Sequence, residues 1–367
     1  MNTGIITSRI EKLRALMSEK KLDAFVLIVS ERMNSESCHY ISGFRGSSAG
    51  LIISMKDSII ITDGRYQTQV KEQSPFKAII QSELSMPEYI AKSISESEYV
   101  RVGFEAEKIS HGTFMKYFAP VKAEWIDSSE MLKTLRRTKD ESEVALIRKA
   151  GLIARMAYGE VLKLVKAGMS EIEFDVKLME KLKLMGAEKG WSHDDFIVAS
   201  GVRSAMCHAP ATLKKFSRGE TVTVDYGAMT EGYMSDITRN FAIGHADDKA
   251  HEINAILLKA HHEAVKALRP GISGAEVDSV ARKVIADSGY GKNFLHGLGH
   301  GLGLEVHESP RLSQTSKDIL QVGDVVTIEP GIYIEGWGGL RIEDDYLITE
   351  DGCECLTVND NQSIEEI

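Results

Sequence analysis

GETVTVDYGAMTEGY, residues 219–233, is echoed by GDVVTIEPGIYIEGW, residues 323–337. At an offset of 104 the two share a leading glycine, a Val-Thr pair, a Glu-Gly turn and an acidic residue, Asp225 or Glu329. A second pair of segments keeps nearly the same spacing. AGMSEIEFD, from residue 167, and PGISGAEVD, from residue 270, match at an offset of 103 through Gly168/Gly271, Ser170/Ser273, Glu173/Glu276 and Asp175/Asp278. Each copy carries Ser-x-x-Glu before an apolar-periodic run, the capping-box signature of a helix start. Any glycine-turn hairpin resembles another, but two motifs in the same order at nearly one offset point to duplication. The later part of the chain therefore reads as two copies of a helix–helix–hairpin unit sharing one core.

Residues 1–130 read differently, as alternating helix and strand. SRIEKLRALMSEKK, from residue 8, has helical spacing, LDAFVLIV (22–29) is a buried strand, and GLIIS and SIIITDGRY are short strands around a polar turn. DSSEMLKTLRRTKD, residues 127–140, is charged with little apolar pattern, and LRRTKDESEVALIRKAGLIARMAYGEVLKLV (135–165) opens one long amphipathic helical stretch. The expected division is 1–130 and 131–367, within an α/β (α+β) chain of 367 residues, long enough for two cores.

Composition narrows the classes of function. A formal charge of −10 with no offsetting Lys/Arg block argues against nucleic-acid and anionic-membrane surfaces. No apolar run has the length of a signal peptide or a membrane span. The four cysteines, Cys38, Cys207, Cys353 and Cys355, lack paired CxxC spacing and suit reduced thiols in the cytoplasm.

The hairpins carry the chemistry. In TVTVDYGAMTEGYMSDITRNF the turn centres between residues 230 and 231, which sets Asp225 opposite Asp236 on one sheet face, flanked by Val224 and Ile237. Glu329 and Glu343 flank the second turn in the same way. Such charges can be exposed hairpin carboxylates. Gathered in a core, four of them repel unless a cation lies among them, so a divalent-metal site is the economical reading. Between the hairpins runs FLHGLGHGLGLEVHE, residues 294–308. A helical HxxxH clip from His296 to His300 would contain or adjoin Gly297, Gly299, Gly301 and Gly303, at a cost of about 3–4 kcal/mol relative to alanine. The segment reads as extended or looped, with one of the two histidines beside the carboxylates. His193, His245, His251, His261 and His262 read as satisfied structural groups with no assigned role.

VDYGAMTEGYMSD, HGLGHGLGLEVHE, TIEPGIYI and GLRIEDD, in this order, resemble the pita-bread metallopeptidases, in particular the aminopeptidase P and prolidase branch. The resemblance covers essentially the whole chain. It implies an N-terminal creatinase-like α/β domain followed by a pita-bread domain with a pseudo-twofold internal repeat. It further implies two divalent ions held by Asp225, Asp236, His300, Glu329 and Glu343, and so selects His300 over His296. His208, in MCHAP, and His307 match two substrate-facing histidines. Tyr333 and Arg341 match residues beside the site, and His296 a further active-site histidine of the aminopeptidase P branch. YISGFRGSSAGLIIS with IITDGRY resembles the N-terminal domain of aminopeptidase P, which implies a homodimer or higher homo-oligomer.

The implied reaction is removal of the first residue from peptides with proline second, a metal-bridged hydroxide being the nucleophile. Glu329 would carry the proton, His307 would stabilise the oxyanion, and Arg341 would hold a ligand in place. Mostly oxygen donors favour Mn²⁺, with Co²⁺, Zn²⁺ and Fe²⁺ as alternatives. The alternative activity is that of an Xaa-Pro dipeptidase, for which Arg311, in HESPR, would receive the free carboxylate. A methionine aminopeptidase would leave the N-terminal domain superfluous. A non-catalytic binding protein on this fold would lack ligand positions, and here all five are filled.

Overall fold

The computed structural model describes residues 3–191, 196–357 and 362–367. His193 lies outside the described residues. The chain divides into two compact units, Met1–Arg136 and Arg137–Ile367.

In the first unit, helix α1 (Thr3–Glu19) turns Ile6, Ile10, Leu13 and Met17 inward at helical spacing. Six strands follow: β1 (Ala24–Ser30), β2 (Ser48–Ser54), β3 (Ser58–Thr62), β4 (Lys77–Ile80), β5 (Arg101–Phe104) and β6 (Glu124–Asp127). They form one mixed sheet in the order β4-β3-β2-β1-β5-β6, where β1 pairs antiparallel with β2 and parallel with β5. Its central strands are buried on both faces, so AFVLIV is apolar throughout rather than alternating. Helix α2 (Met86–Ser95) starts at a Ser85/Glu88 capping box and packs Ile90 and Ile94 onto the sheet.

The segment expected to lack apolar pattern is a helix, α3 (Ser129–Arg137), with Met131 and Leu132 buried along one side. The long helical stretch expected after it is broken at Thr138–Asp140. Asp140 accepts from the Ser142 and Glu143 backbone N–H groups and so begins a separate helix, α4 (Glu141–Leu162).

The second unit displays the internal repeat. Its first half contains α4, α5 (Glu171–Leu184), β7 (Ile197–Ser200), β8 (Thr221–Tyr226), the short hairpin β9 (Met229–Thr230) with β10 (Tyr233–Met234), and β11 (Ile237–Ala242). Its second half contains α6 (Asp248–Ala267), α7 (Gly274–Asp287), β12 (Gly299–Gly301), β13 (Glu308–Leu312), β14 (Val325–Ile328), the hairpin β15 (Gly331–Ile334) with β16 (Gly338–Arg341), β17 (Asp344–Ile348) and β18 (Cys353–Cys355). The last strand, β19 (Glu365–Glu366), returns to the first sheet, whose order is β19-β11-β8-β7; the second sheet runs β13-β12-β14-β17-β18.

Both expected capping boxes are present, Ser170/Glu173 opening α5 and Ser273/Glu276 opening α7. Each helix pair covers one sheet with its own core. Phe174 stacks on Phe241 at 5.4 Å in the first half, and Leu257, Val277, Val326 and Ile328 meet in the second. Truncating a buried phenylalanine such as Phe174 would cost about 3–5 kcal/mol. The halves join where Thr238 of β11 bridges Glu343, just before β17.

Candidate active site

The first hairpin turns at Glu231 (φ 48°) and Gly232 (φ 90°), two consecutive left-handed residues that close a two-residue loop. The centre therefore lies one residue later than the sequence pattern predicts, and every pairing shifts by two. Asp225 faces Thr238, and Asp236 is its diagonal neighbour instead of its direct partner. A shift of two preserves the face, so both carboxylates still reach one cavity. In the second hairpin Ile328 pairs with Asp344 and Gly331 with Arg341, which puts Glu329 in register with Glu343 as expected.

The glycine-rich segment is extended, with its short strand β12 centred on His300. His300 pairs with Arg311 of β13, so both side chains lie on the cavity side. The segment is held from behind by α7. Asp278 and Arg282, one turn apart, form a two-bonded ion pair at 2.8 and 2.9 Å. Arg282 also donates to the carbonyls of Phe294 (3.1 Å) and His296 (2.8 Å), while Asp278 accepts from the Leu298 N–H (3.1 Å). The Leu298 carbonyl in turn accepts from the Glu329 N–H at 2.9 Å. One ion pair thus fixes the backbone around His296, His300 and Glu329. The repeat-related Asp175 accepts from the Phe196 N–H in the first half.

A cavity of about 480 Å³ opens over these residues. Asp225, Asp236, His300, Glu329 and Glu343 all line it, together with His208, His296, His307, Arg311 and Arg341. Tyr333 lies immediately behind, its hydroxyl accepting from Arg341 (2.7 Å) and 3.0 Å from His296 Nε2. Every residue singled out in the sequence is therefore brought to one place. Two of the hairpin carboxylates are buried, Glu343 at 1 % exposed and Asp236 at 5 %, and Asp225 and Glu329 are partly buried at the cavity wall.

Of the two guanidiniums at the cavity, Arg341 is the one bonded to the carboxylate cluster. Arg341 donates to Asp225 at 2.6 Å and to Thr238 Oγ1 at 3.0 Å, and Thr238 donates to Glu343 at 2.6 Å. Burial, then the Glu343 and Asp225 charges, push the Asp236 carboxyl well above its ordinary range. Burial and then Glu329 do the same to Glu343. Burial, offset in part by Arg341, lifts Glu329 to about 8. The histidines move oppositely, because burial disfavours the imidazolium: His300 falls to about 3 and His296 to about 4. His300 is therefore a neutral imidazole, the form that ligates metal.

Divalent cations fit this donor set. Donor atoms of Asp236, His300 and Glu343 lie within 4.8 Å of one another, all buried. Asp225 Oδ1 and Asp236 Oδ1 are buried with no hydrogen-bond partner. Lone pairs so placed cost stability unless they are ligated. His300 Nε2 stands 3.4 Å from Glu329 and 3.8 Å from Asp236.

Several contributors escaped the sequence reading. Trp191 and Ile197 line the cavity. Thr238 was legible only as the residue two after Asp236 on the same strand face. The Asp278–Arg282 pair was legible as i,i+4 spacing in a repeat-matched segment.

A duplicated helix-and-sheet unit closing over buried carboxylates and a neutral histidine is the architecture of a metal-dependent hydrolase. Residues 145–350 match metallopeptidase family M24, and residues 9–138 match the creatinase/prolidase N-terminal domain. The chain belongs to metallopeptidase family M24, as a hydrolase of the pita-bread fold. It is 36% identical over 367 residues to an Xaa-Pro dipeptidase of Pyrococcus horikoshii, covering 98% of this chain and 99% of that one. An Xaa-Pro dipeptidase from Bacillus anthracis superposes with a TM-score of 0.92 at 36% identity, covering 99% of this chain and 100% of that one. An X-Pro aminopeptidase from Thermotoga maritima gives the same TM-score at 37% identity, covering 98% and 99%.

Proposed function

We propose that this chain hydrolyses the Xaa-Pro bond of short peptides and prefers Xaa-Pro dipeptides. Arg311 carries this reading. Its side chain lines the cavity, faces the same way as His300, and makes no ion pair among the described residues. A cation so placed suits the free carboxylate of a dipeptide. The sequence reading put aminopeptidase P first, and the unpaired guanidinium moves the preference to the dipeptide. The aminopeptidase reading keeps one observation in its favour: His307 and Arg311 are exposed at the mouth, which leaves a path for chain beyond the proline.

Asp225, Asp236, His300, Glu329 and Glu343 would hold two divalent ions, Mn²⁺ by the predominance of oxygen donors. Bound there, they supply Lewis acidity toward a carbonyl and lower the pKa of a water. The remaining work falls to side chains. Glu329, beside His300 in the cavity, accepts a proton and returns it to the proline nitrogen, which as a tertiary amide has none of its own. His307 and His208, at the cavity wall, donate to the peptide carbonyl as negative charge develops on it. Arg341 orients Asp225, and Tyr333 orients His296. The four cysteines are free thiols, which suits the cytoplasm.

Hydrolysis of Gly-Pro beside Arg-Pro-Pro in Mn²⁺, with Asp236→Ala as blank, tests the reading. Faster turnover of Gly-Pro is expected. Cleavage of the tripeptide alone would establish an aminopeptidase, and failure to cut either would exclude Xaa-Pro chemistry.

A further inference from the structure

His245 and His251 read from sequence as structural groups without a role. In the fold they converge with a residue more than a hundred positions away. Strand β19 runs parallel to β11 with Ala242 opposite Glu366, so Glu366 emerges where the chain leaves β11. The chain then turns through Gly244 (φ 77°), exposes His245, and enters α6 behind the Asp247 cap, with His251 one turn in.

Glu366 Oε1 lies 2.9 Å from His245 Nδ1 and 3.0 Å from His251 Nε2. The two rings are 5.5 Å apart, and all three donor atoms fall within 4.8 Å of one another. The carboxylate is anchored independently of the histidines, because Oε1 also accepts from the Ala246 N–H at 3.1 Å. The turn is tied down as well, since Gly244 N–H donates to the Ile367 carbonyl and Ile367 N–H to that of Ala242.

Tetrahedral zinc with bonds of about 2.0–2.2 Å places neighbouring donors about 3.3 Å apart. The Glu366–histidine separations are close to that spacing, so small side-chain movements admit the ion. Two imidazoles and one carboxylate suit Zn²⁺, and their exposure leaves a fourth position to water. Asp247 and Asp248 add negative potential beside it. We propose that His245, His251 and Glu366 form a surface zinc site that fastens the β19 edge to the start of α6. The site is separate from the peptidase cavity and does not depend on how that cavity works.

The competing arrangement is two imidazoles merely hydrogen-bonded to a carboxylate. Glu366→Gln separates the two, because the amide oxygen still accepts those hydrogen bonds but is a poor zinc ligand. Full-length wild type, Glu366→Gln and His251→Ala are equilibrated with micromolar Zn²⁺, and zinc per chain is measured by atomic emission. Wild type should hold one zinc more than either variant, and that zinc should bind at least tenfold more weakly in both. Zinc should also raise the unfolding temperature of wild type more than that of the variants. Equal zinc content in all three chains overturns the proposal. So does loss of zinc in His251→Ala with retention in Glu366→Gln. Unchanged Gly-Pro hydrolysis in the variants shows that they are folded.

Discussion

Replacing Arg282 with methionine tests how the glycine-rich segment is held. The substitution keeps an apolar stem against Phe294, over whose ring the guanidinium sits at 4.2 Å, and removes every polar contact. Asp278, 0 % exposed, would keep the Leu298 N–H and lose its counter-charge. Breaking a buried pair from one side costs about 3–5 kcal/mol, and the 18 % exposure of the Arg282 side chain places this pair at the lower end. The Phe294 and His296 carbonyls also lose their donor, but they can recruit water. A loss of about 3 kcal/mol is therefore expected in urea unfolding. The backbone freed by the change carries His296 and His300 and, through Leu298, reaches Glu329. A misplacement on the order of 1 Å there should lower kcat by roughly 10² at saturating Mn²⁺, with KM changing less. Arg282→Lys, which keeps the charge without the fork, should fall between. Wild-type kcat in a destabilised Arg282→Met would refute this account, because sheet pairing of β12 alone would then suffice to place the histidines.

Arg311→Ala should raise KM for Gly-Pro by roughly 10- to 100-fold, the worth of a charge-assisted hydrogen bond, and leave Arg-Pro-Pro nearly unaffected. A parallel loss on both peptides would remove the dipeptide preference. Thr238→Val, which strips a donor from Glu343 and an acceptor from Arg341, should weaken Mn²⁺ binding about 10- to 100-fold in a calorimetric titration. Unchanged affinity would make Thr238 a packing residue. Metal removal should make stability fall as pH rises above neutrality. Glu329, raised to about 8 from an ordinary 4.5, holds its proton in the folded chain, so that contribution to metal-free stability falls as pH rises toward 8. His300 and His296, lowered to about 3 and 4, act in the opposite sense, but chiefly below their ordinary 6.5. Between pH 7 and 8.5 the EDTA-treated chain should therefore lose about 1 kcal/mol. Mn²⁺ should abolish that loss, and a metal-free chain that gained stability over this range would contradict the picture.

Most of the site was legible because its residues obey local rules. Period-two pairing across a turn predicts which carboxylates share a face, and that survives a register error of two; an error of one would have scattered them. The register itself was not legible, because Thr230-Glu231 and Glu231-Gly232 are both reasonable turn centres and only the left-handed backbone decides between them. The capping boxes were readable since Ser170 and Glu173 act within one turn of each other. The helical break at Asp140 was missed because charged residues serve equally well on a solvated helix face and at a cap. Arg282 and Thr238 act on backbone and on ligands brought near only by the tertiary fold, so their spacing, i,i+4 from Asp278 and two residues from Asp236, shows a local pair or a shared face but not what either residue holds.

The duplication explains why these carboxylates can be buried together at all. Each half brings two, Asp225 and Asp236 from the first hairpin, Glu329 and Glu343 from the second, and the two halves are tied together by polar contacts that cross the seam. Arg341, from the second half, pairs with Asp225 of the first, while Thr238, from the first, bonds Glu343 of the second. Arg341 and Arg311 cannot balance four carboxylates, and burial together with the neighbouring carboxylate charges pushes Asp236, Glu329 and Glu343 above their ordinary range. Two divalent cations would more than supply the missing charge. The seam between the repeats is thus the place where metal affinity and the cohesion of the two halves become one quantity. Weakening the seam at Thr238 should loosen metal, and removing metal should loosen the seam.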